Sequence, residues 1–191
     1  MKVALFCSAR TDIDRQWIDD AAKLGRHIGR RGWTLVYGGV SAGLMHVAAE
    51  AVRSEGGRTV GVVPVRRRMS EDPDNTLNIQ VGGLEKRKET MMCIADIFVA
   101  LPGGYGTLDE VVSTVAALAF NGDRRRVIVL NHDGLFDPLK MQFYRMIEHG
   151  LMEPSAMSSL TFVNDIDDII KILAVSYTHL RAHETSLQLV C

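Results

Sequence analysis

The sequence predicts an α/β protein, a single Rossmann-like domain built on a doubly wound parallel sheet. Short runs of β-branched and aromatic residues alternate along the chain with amphipathic segments of helical period, as they do when helices cover both faces of a parallel sheet. Glycine turns follow two of these runs, at 38–43 and 103–106, and a polar turn at 8–11 follows the first run, so we expect these three turns to converge on one cleft. Crossovers between parallel strands are right-handed, and ligands of such sheets bind beyond the carboxyl ends of the strands.

Each element follows from a local pattern. Residues 3–7 are apolar throughout, which is typical of a central parallel strand. The segment 12–31 carries Trp17, Leu24 and Ile28 at helical spacing and ends before Gly32, so it is predicted to be a helix. Further strands are predicted at 33–37, 59–63, 78–81 (a short edge strand), 97–101, 127–130 and 160–163, and further helices at 43–54, 84–95, from Thr107 onward, at 136–150 and at 165–173.

Residues 1–174 are expected to form one Rossmann-like domain, without an internal repeat or linker. The tail, residues 175–191, has no clear period, and we expect it to be a non-native or disordered extension. The 191 residues are 47% apolar and 24% charged, which is ordinary for a soluble globular protein. Their number is enough for one domain with a normal core.

Composition also argues against several classes of function. The net charge of −1 gives no general attraction for nucleic acid or for an anionic membrane. Cys7, Cys93 and Cys191 have unrelated spacings, and the six histidines form no HExxH pair, so neither a disulfide framework nor a metal site is expected. No apolar run is long enough for a signal peptide or a membrane span, so we expect a cytoplasmic protein.

The pattern that best indicates a functional site lies at residues 96–114, which are predicted to form a strand, a glycine turn and a helix. Pro102 ends the strand, and the glycines after it allow positive φ at little cost. Thr107 is predicted to cap the helix, whose start presents free N–H groups that suit a phosphate. Glu110 lies one turn inside. Neither glycine turn fits the GxGxxG fingerprint after the first strand or the GK[ST] ending of a P-loop.

Residues 102–110, PGGYGTLDE, resemble the PGGxGTxxE motif of the LOG family, the cytokinin riboside 5′-monophosphate phosphoribohydrolases, which are also labelled lysine decarboxylase-like. Three further pieces agree in order and spacing. They are YGGVSAGLM at 37–45, the RKxxM element at Arg87, Lys88 and Met91, and the acidic Asp96. The resemblance covers about residues 1–173.

The resemblance implies hydrolysis of the bond between base and ribose in a nucleoside 5′-monophosphate, a cytokinin nucleotide or AMP, with Arg87 and Glu110 as catalytic residues. It implies a homodimer, and neither a metal nor an organic cofactor is expected. The residues expected to bind the substrate and its phosphate are Ser8, Gly38, Gly39, Gly43, Met45, Lys88, Gly103, Gly104, Tyr105, Gly106 and Thr107.

Several alternatives stay open at the level of the residues. Thr107 and Glu110 have the spacing of a capping box, and the EKRKE run around Arg87 fits a solvated helix face. The basic residues at 66–68 suit a solvated loop better than a lid over the phosphate. The fold would also suit a nucleotide sensor without activity. A lysine decarboxylase would need a pyridoxal Schiff-base lysine, for which no motif is present.

Overall fold

A parallel sheet of seven strands forms the centre of the computed structural model, which describes residues 1–65 and 71–188, and side chains of the last helix as far as residue 178. The strands are β1 (Lys2–Phe6), β2 (Thr34–Tyr37), β3 (Arg58–Pro64), β4 (Leu77–Val81), β5 (Ile97–Ala100), β6 (Val127–Leu130) and β7 (Leu160–Val163). The helices are α1 (Arg15–Arg30), α2 (Gly43–Ser54), α3 (Leu84–Ile94), α4 (Tyr105–Asn121), α5 (Asp137–Glu148) and α6 (Ile166–Gln188). Short 3-10 turns at His132–Gly134 and Pro154–Ser159 were not predicted.

The strand order is β4-β3-β2-β1-β5-β6-β7, and every neighbouring pair is parallel. The predicted doubly wound sheet is therefore confirmed. The order reverses at β1, whose neighbours are β2 on one side and β5 on the other. A crevice for ligands forms at such a reversal, beyond the carboxyl ends of the strands. The ends of β1, β2 and β5 are followed by the three turns that the sequence analysis singled out.

Two apolar layers hold the helices on the sheet. Alternate residues of β1 serve opposite faces, with Val3 and Leu5 in one cluster and Ala4 and Phe6 in the other. Helices α1, α2 and α6 contribute to the first cluster, and α3, α4 and α5 to the second. The central strands β1, β2, β5 and β6 are thus buried on both faces, which explains their nearly continuous apolar runs in the sequence.

Three expectations about local structure were wrong. Helix α4 begins at Tyr105 with Gly104 as its N-cap residue and no capping side chain, so Thr107 does not cap it. The glycines at 103, 104 and 106 do not have positive φ. The last helix does not end at residue 173 but continues to Gln188, and Tyr177 packs on Trp33 with 5.3 Å between ring centroids.

Two other expectations are not decided by this structure. That residues 175–191 are non-native stays a prediction. The basic residues at 66–68 lie outside the described residues. Among the helices described, we find none with the length and apolar character to span a membrane.

Candidate active site

The three turns predicted to converge do meet at the carboxyl edge of the sheet. The Ser8 N–H, just after β1, donates to the carbonyl of Pro102 at 3.1 Å, and the Ser8 carbonyl accepts from the N–H of Leu44 at 3.0 Å. Gly43 has a φ of 56°, and a Cβ there would run into the backbone of Ala9 and Arg10. Backbone contacts therefore fix the turn after β1 against both glycine turns.

Arg87 and Glu110 come together beside the first glycine turn. Arg87 on α3 is 8% exposed and Glu110 on α4 is 5% exposed. The guanidinium Nη2 of Arg87 lies 3.2 Å from Oε1 of Glu110. The guanidinium rests directly on Gly38, where a Cβ would overlap it, and the Met45 sulfur borders the same point. Only glycine allows this approach, so the first glycine turn is required for the position of Arg87.

The carboxylate of Glu110 is buried without full compensation. Glu110 Oε1 is within ion-pair distance of Arg87, yet neither it nor Arg87 Nε has a hydrogen-bond partner in the part of the chain that the structure describes. Burial raises the pKa of Glu110 to about 7, and the charge of Arg87 offsets part of that rise. The capping-box alternative is contradicted, because α4 has no side-chain cap and the glutamate faces Arg87.

The start of α4 offers free amides next to this pair. The first helical hydrogen bond runs from the N–H of Leu108 to the carbonyl of Gly104 at 3.0 Å, so the N–H groups of residues 105–107 precede the helical ladder. A Cβ on Gly104 or Gly106 would meet nothing within 4 Å, so the backbone is bare there. Gly103, in contrast, is packed against Thr107 and the N–H of Ser8. An anion could approach the helix end at the two open positions.

A cavity of about 500 Å³ opens beside this helix start. It connects the glycine turn after β5 with the turn after β6, and its walls are mainly apolar. Its lining residues are Gly103, Gly104, Tyr105, Leu108, Leu135, Phe136, Pro138 and Leu139.

Lys88 lies beside the pair and already has acidic partners. Its ammonium is 3.0 Å from Asp109 Oδ1 and 2.9 Å from Glu85 Oε1. The hydrogen bond to Glu85 and then that to Asp109 raise the pKa of Lys88, so it is a charged group and not a free amine. Asp109 is exposed to solvent and pairs with Lys88 at the same time.

Comparison with known proteins places this site in a family. A family model described as "Possible lysine decarboxylase" matches residues 45–173, about two thirds of the chain. The chain is 33% identical over 177 residues to the cytokinin riboside 5′-monophosphate phosphoribohydrolase of Mycobacterium tuberculosis, covering 91% of this chain and 94% of that protein. The chain belongs to this LOG family. It is also 39% identical over 156 residues to the rice protein named probable cytokinin riboside 5′-monophosphate phosphoribohydrolase LOGL9, covering 81% of this chain and 69% of the relative.

Solved structures agree with the fold of the LOG family. The molybdenum cofactor carrier protein of Chlamydomonas reinhardtii superimposes with a TM-score of 0.70 at 23% identity, over 93% of this chain and 98% of that one. At that identity the likeness shows the shared sheet and helices. It does not transfer the carrier's ligand to this chain.

Cys7 and His46 lie close to the site. Cys7 is buried, and burial raises the pKa of its thiol, which disfavours the nucleophilic thiolate. His46 lies in the first turn of α2. Its Nδ1 is 3.3 Å from Ser41 Oγ, and its Nε2 is 3.6 Å from Glu50 Oε2.

The sequence pattern did not single out Asp72, which lies in the turn-rich segment before β4. Its backbone N–H donates to the carbonyl of Gly39 at 2.8 Å, and its carboxylate accepts from the hydroxyl of Tyr37 at 3.0 Å. An acidic residue next to proline reads as a solvated turn, so no local signal could have revealed this contact. The nearest hint is Tyr37 itself, an aromatic residue with a polar end placed directly before two glycines.

Proposed function

We propose that this protein hydrolyses the N-glycosidic bond of a nucleoside 5′-monophosphate, a cytokinin riboside 5′-monophosphate or AMP. Water adds to C1′ of the ribose, the bond to the base nitrogen breaks, and free base and ribose 5-phosphate leave. One observation carries the proposal. A buried carboxylate, Glu110, lies 3.2 Å from the guanidinium of Arg87, one turn inside a helix whose start is bare and uncapped.

The start of α4 would hold the phosphate. The N–H groups of residues 105–107 are outside the helical ladder, and the helix dipole favours an anion at this end. Gly104 and Gly106 leave room for a phosphate to approach the backbone. Five residues separate Tyr105 from Glu110, a rise of about 7.5 Å along the helix, which is on the scale of one ribose phosphate.

Glu110 would then act at C1′. Cleavage of a glycosidic bond passes through a state with positive charge on the sugar, and an ionised carboxylate stabilises that charge. The same carboxylate can accept a proton from the attacking water, because its pKa of about 7 lies near neutral pH. Low exposure strengthens both effects, since few water molecules screen the carboxylate.

Arg87 would hold the sugar against this carboxylate. Its Nε–H has no partner within the described residues, so a donor is left for a ribose hydroxyl or a phosphate oxygen. The planar guanidinium can donate to two oxygens at once, which a lysine ammonium cannot do with the same geometry.

The other residues predicted to bind the substrate would have supporting roles. Ser8, Gly38, Gly39, Gly43 and Met45 would line the base and ribose side. Thr107, which is buried, would lie beneath the phosphate, and Tyr105, which is exposed, would lie at the rim of its site. Lys88 would contribute its charge from the side, because its ammonium is engaged by Asp109 and Glu85. We expect no metal or organic cofactor to be needed.

Chromatography of the reaction products tests the proposal. The purified protein is incubated with a panel of nucleoside 5′-monophosphates, and released base and ribose 5-phosphate are measured. Glu110→Gln should bind AMP and release no base. If this variant turned over at the wild-type rate, the assignment of Glu110 would be rejected.

A nucleotide-binding protein without activity is the second candidate, and the fold favours it in one respect. Proteins of similar fold include a carrier protein and a binding protein of the molybdenum cofactor. In that case AMP would raise the melting temperature of the protein and no ribose 5-phosphate would form. A lysine decarboxylase is disfavoured, because it would need a pyridoxal Schiff-base lysine, and no lysine of the sequence lies in a motif of that kind.

We propose further that the protein is a homodimer that pairs through α4. Tyr105, Leu108, Val112 and Phe120 form an exposed apolar stripe along this helix, and Tyr105 and Phe120 are 94% and 91% exposed. Light scattering after gel filtration should give twice the monomer mass. Val112→Asp should give monomers, while Leu151→Asp, an exposed apolar position outside the stripe, should stay dimeric. A wild-type monomer would contradict this.

A further inference from the structure

A buried polar cluster joins β2, α2 and the segment before β4. Its centre is Asp72, which is 1% exposed. The carboxylate accepts hydrogen bonds from the hydroxyl of Tyr37 (3.0 Å), from Nη1 of Arg53 (3.0 Å) and from the backbone N–H of Asp74 (3.1 Å). Tyr37 is the last residue of β2, and Arg53 lies at the end of α2. A buried carboxylate with three hydrogen-bond donors, one of which is cationic, is well compensated.

The backbone of Asp72 is tied to the glycine turn. Its N–H donates to the carbonyl of Gly39 at 2.8 Å, and its own carbonyl accepts from Nδ2 of Asn78 on β4 at 2.9 Å. Gly39 has a φ of 69°, and a Cβ there would strike the side chain of Val63. The conformation of this turn is therefore held from two sides, by β3 beneath it and by Asp72 beside it.

The glycine turn, held in this way, supports Arg87. Gly38 directly precedes Gly39 and is the surface on which the guanidinium of Arg87 lies. A shift of the Gly38 backbone would move the guanidinium relative to Glu110, whose Oε1 is 3.2 Å away. No contact joins Asp72 directly to Arg87 or Glu110 in the described part of the chain, so its influence must pass through the glycine turn.

We propose that Asp72 is a positioning residue for nucleotide binding: through the carbonyl of Gly39 it fixes the turn against which Arg87 presents its guanidinium. The inference rests on the proposed function, in which Arg87 contacts the nucleotide. The ionised carboxylate is essential to it. An asparagine would turn its NH₂ group toward either the N–H of Asp74 or Nη1 of Arg53, and a donor that faces a donor forms no hydrogen bond.

A double-mutant cycle tests the inference. All proteins carry Glu110→Gln, so that AMP is bound and not consumed, and dissociation constants are measured by calorimetry. Asp72→Asn should weaken AMP binding about tenfold, the scale of one lost hydrogen bond to a charged group. In a protein that also carries Arg87→Ala, Asp72→Asn should cause no further weakening.

Asp123→Asn is the matched control. Asp123 pairs with Arg125 at 2.7 Å and is partly buried. It precedes β6, so it lies near the amino ends of the strands, whereas the site lies at their carboxyl ends. This variant should lose stability and keep the affinity for AMP. A tenfold weakening in the control, or an equal effect of Asp72→Asn with and without Arg87, would overturn the inference, because general loosening of the fold does not depend on Arg87.

Hydrogen exchange separates this inference from the proposed function. In Asp72→Asn, amides of residues 38–40 should lose protection while those of β1 and β5 keep it. If AMP fails to bind the Glu110→Gln parent, the proposed function fails, and the exchange pattern alone decides whether Asp72 holds the turn. Uniform loss of protection, or none at residues 38–40, would overturn the inference.

Discussion

Replacing Glu110 by glutamine should stabilise the protein at alkaline pH. Burial raises the pKa of Glu110 from 4.5, the value for an exposed glutamate, to about 7. Each tenfold change in proton affinity is worth about 1.4 kcal/mol, so the folded environment, in which burial outweighs the charge of Arg87, disfavours the ionised form by about 3 kcal/mol. Glutamine has the same shape and never carries this charge. The substitution should therefore remove the destabilisation together with the activity.

The sign of the pH dependence follows from proton binding. The folded protein keeps the proton on Glu110 up to about pH 7, while the unfolded chain has lost it above about pH 4.5. Between these values the folded state binds more protons, so its stability falls as the pH rises. The glutamine variant lacks this term. Its free energy of unfolding, relative to the wild type, should increase by about 2.5 kcal/mol between about pH 5 and about pH 8.

Urea denaturation at the two pH values measures this difference, and Asp109→Asn is the control. Asp109 is next to Glu110 on the same helix, but its hydrogen bond to Lys88 lowers its pKa. Its charge therefore stabilises the folded state above its ordinary pKa, and Asp109→Asn should be slightly less stable than the wild type at about pH 8. If the Glu110→Gln difference changed by less than about 0.5 kcal/mol over this range, the argument that burial disfavours the charge would be refuted.

Three further predictions concern activity. The ratio kcat/KM for AMP should rise with pH through about 7 in initial-rate assays, because Glu110 must be ionised; a flat profile would contradict this. Gly38→Ala should lower kcat/KM about a hundredfold with little change in melting temperature, because the added Cβ displaces only the end of the Arg87 side chain. Gly82→Ala, whose Cβ would meet nothing within 4 Å, should leave both unchanged. Treatment with EDTA should leave kcat/KM unchanged, and a loss restored by added metal would show that the expectation of no metal is wrong.

The sheet could be predicted because its signals are local. All seven strands lie within one residue of the predicted positions, since most of them are short apolar runs bounded by glycine, proline or charge. The end of the last helix could not be predicted correctly. Residues after Leu173 lack a clear period, yet the helix continues, and Tyr177 finds a partner in Trp33, far away in the sequence.

The candidate site divides in the same way. The motif around Glu110 marked the residue, but a capping box and a catalytic glutamate share one spacing, and only the position of Arg87 on another helix separates them. The glycines at 103–106 were expected to supply positive φ. The bare backbone that was also expected is present at Gly104 and Gly106, but positive φ is absent, and the close packing of Gly103 on Thr107 was not predicted. The position of Asp72 depends on contacts with β2, α2 and β4 together, so no single segment of the sequence indicates it.

The geometry around Glu110 also explains why a destabilising carboxylate is compatible with a stable domain. The ion pair with Arg87 stabilises the charged form, but the contact lacks a hydrogen bond, so compensation is incomplete and the pKa stays near 7. A second donor aimed at Oε1 would lower the pKa and stabilise the fold. The same donor would occupy the oxygen that faces the sugar in the proposed function. In that function a carboxylate needs an unfilled acceptor if it is to act on a cationic centre. The central strands, which are buried on both faces, supply the stability that this site does not.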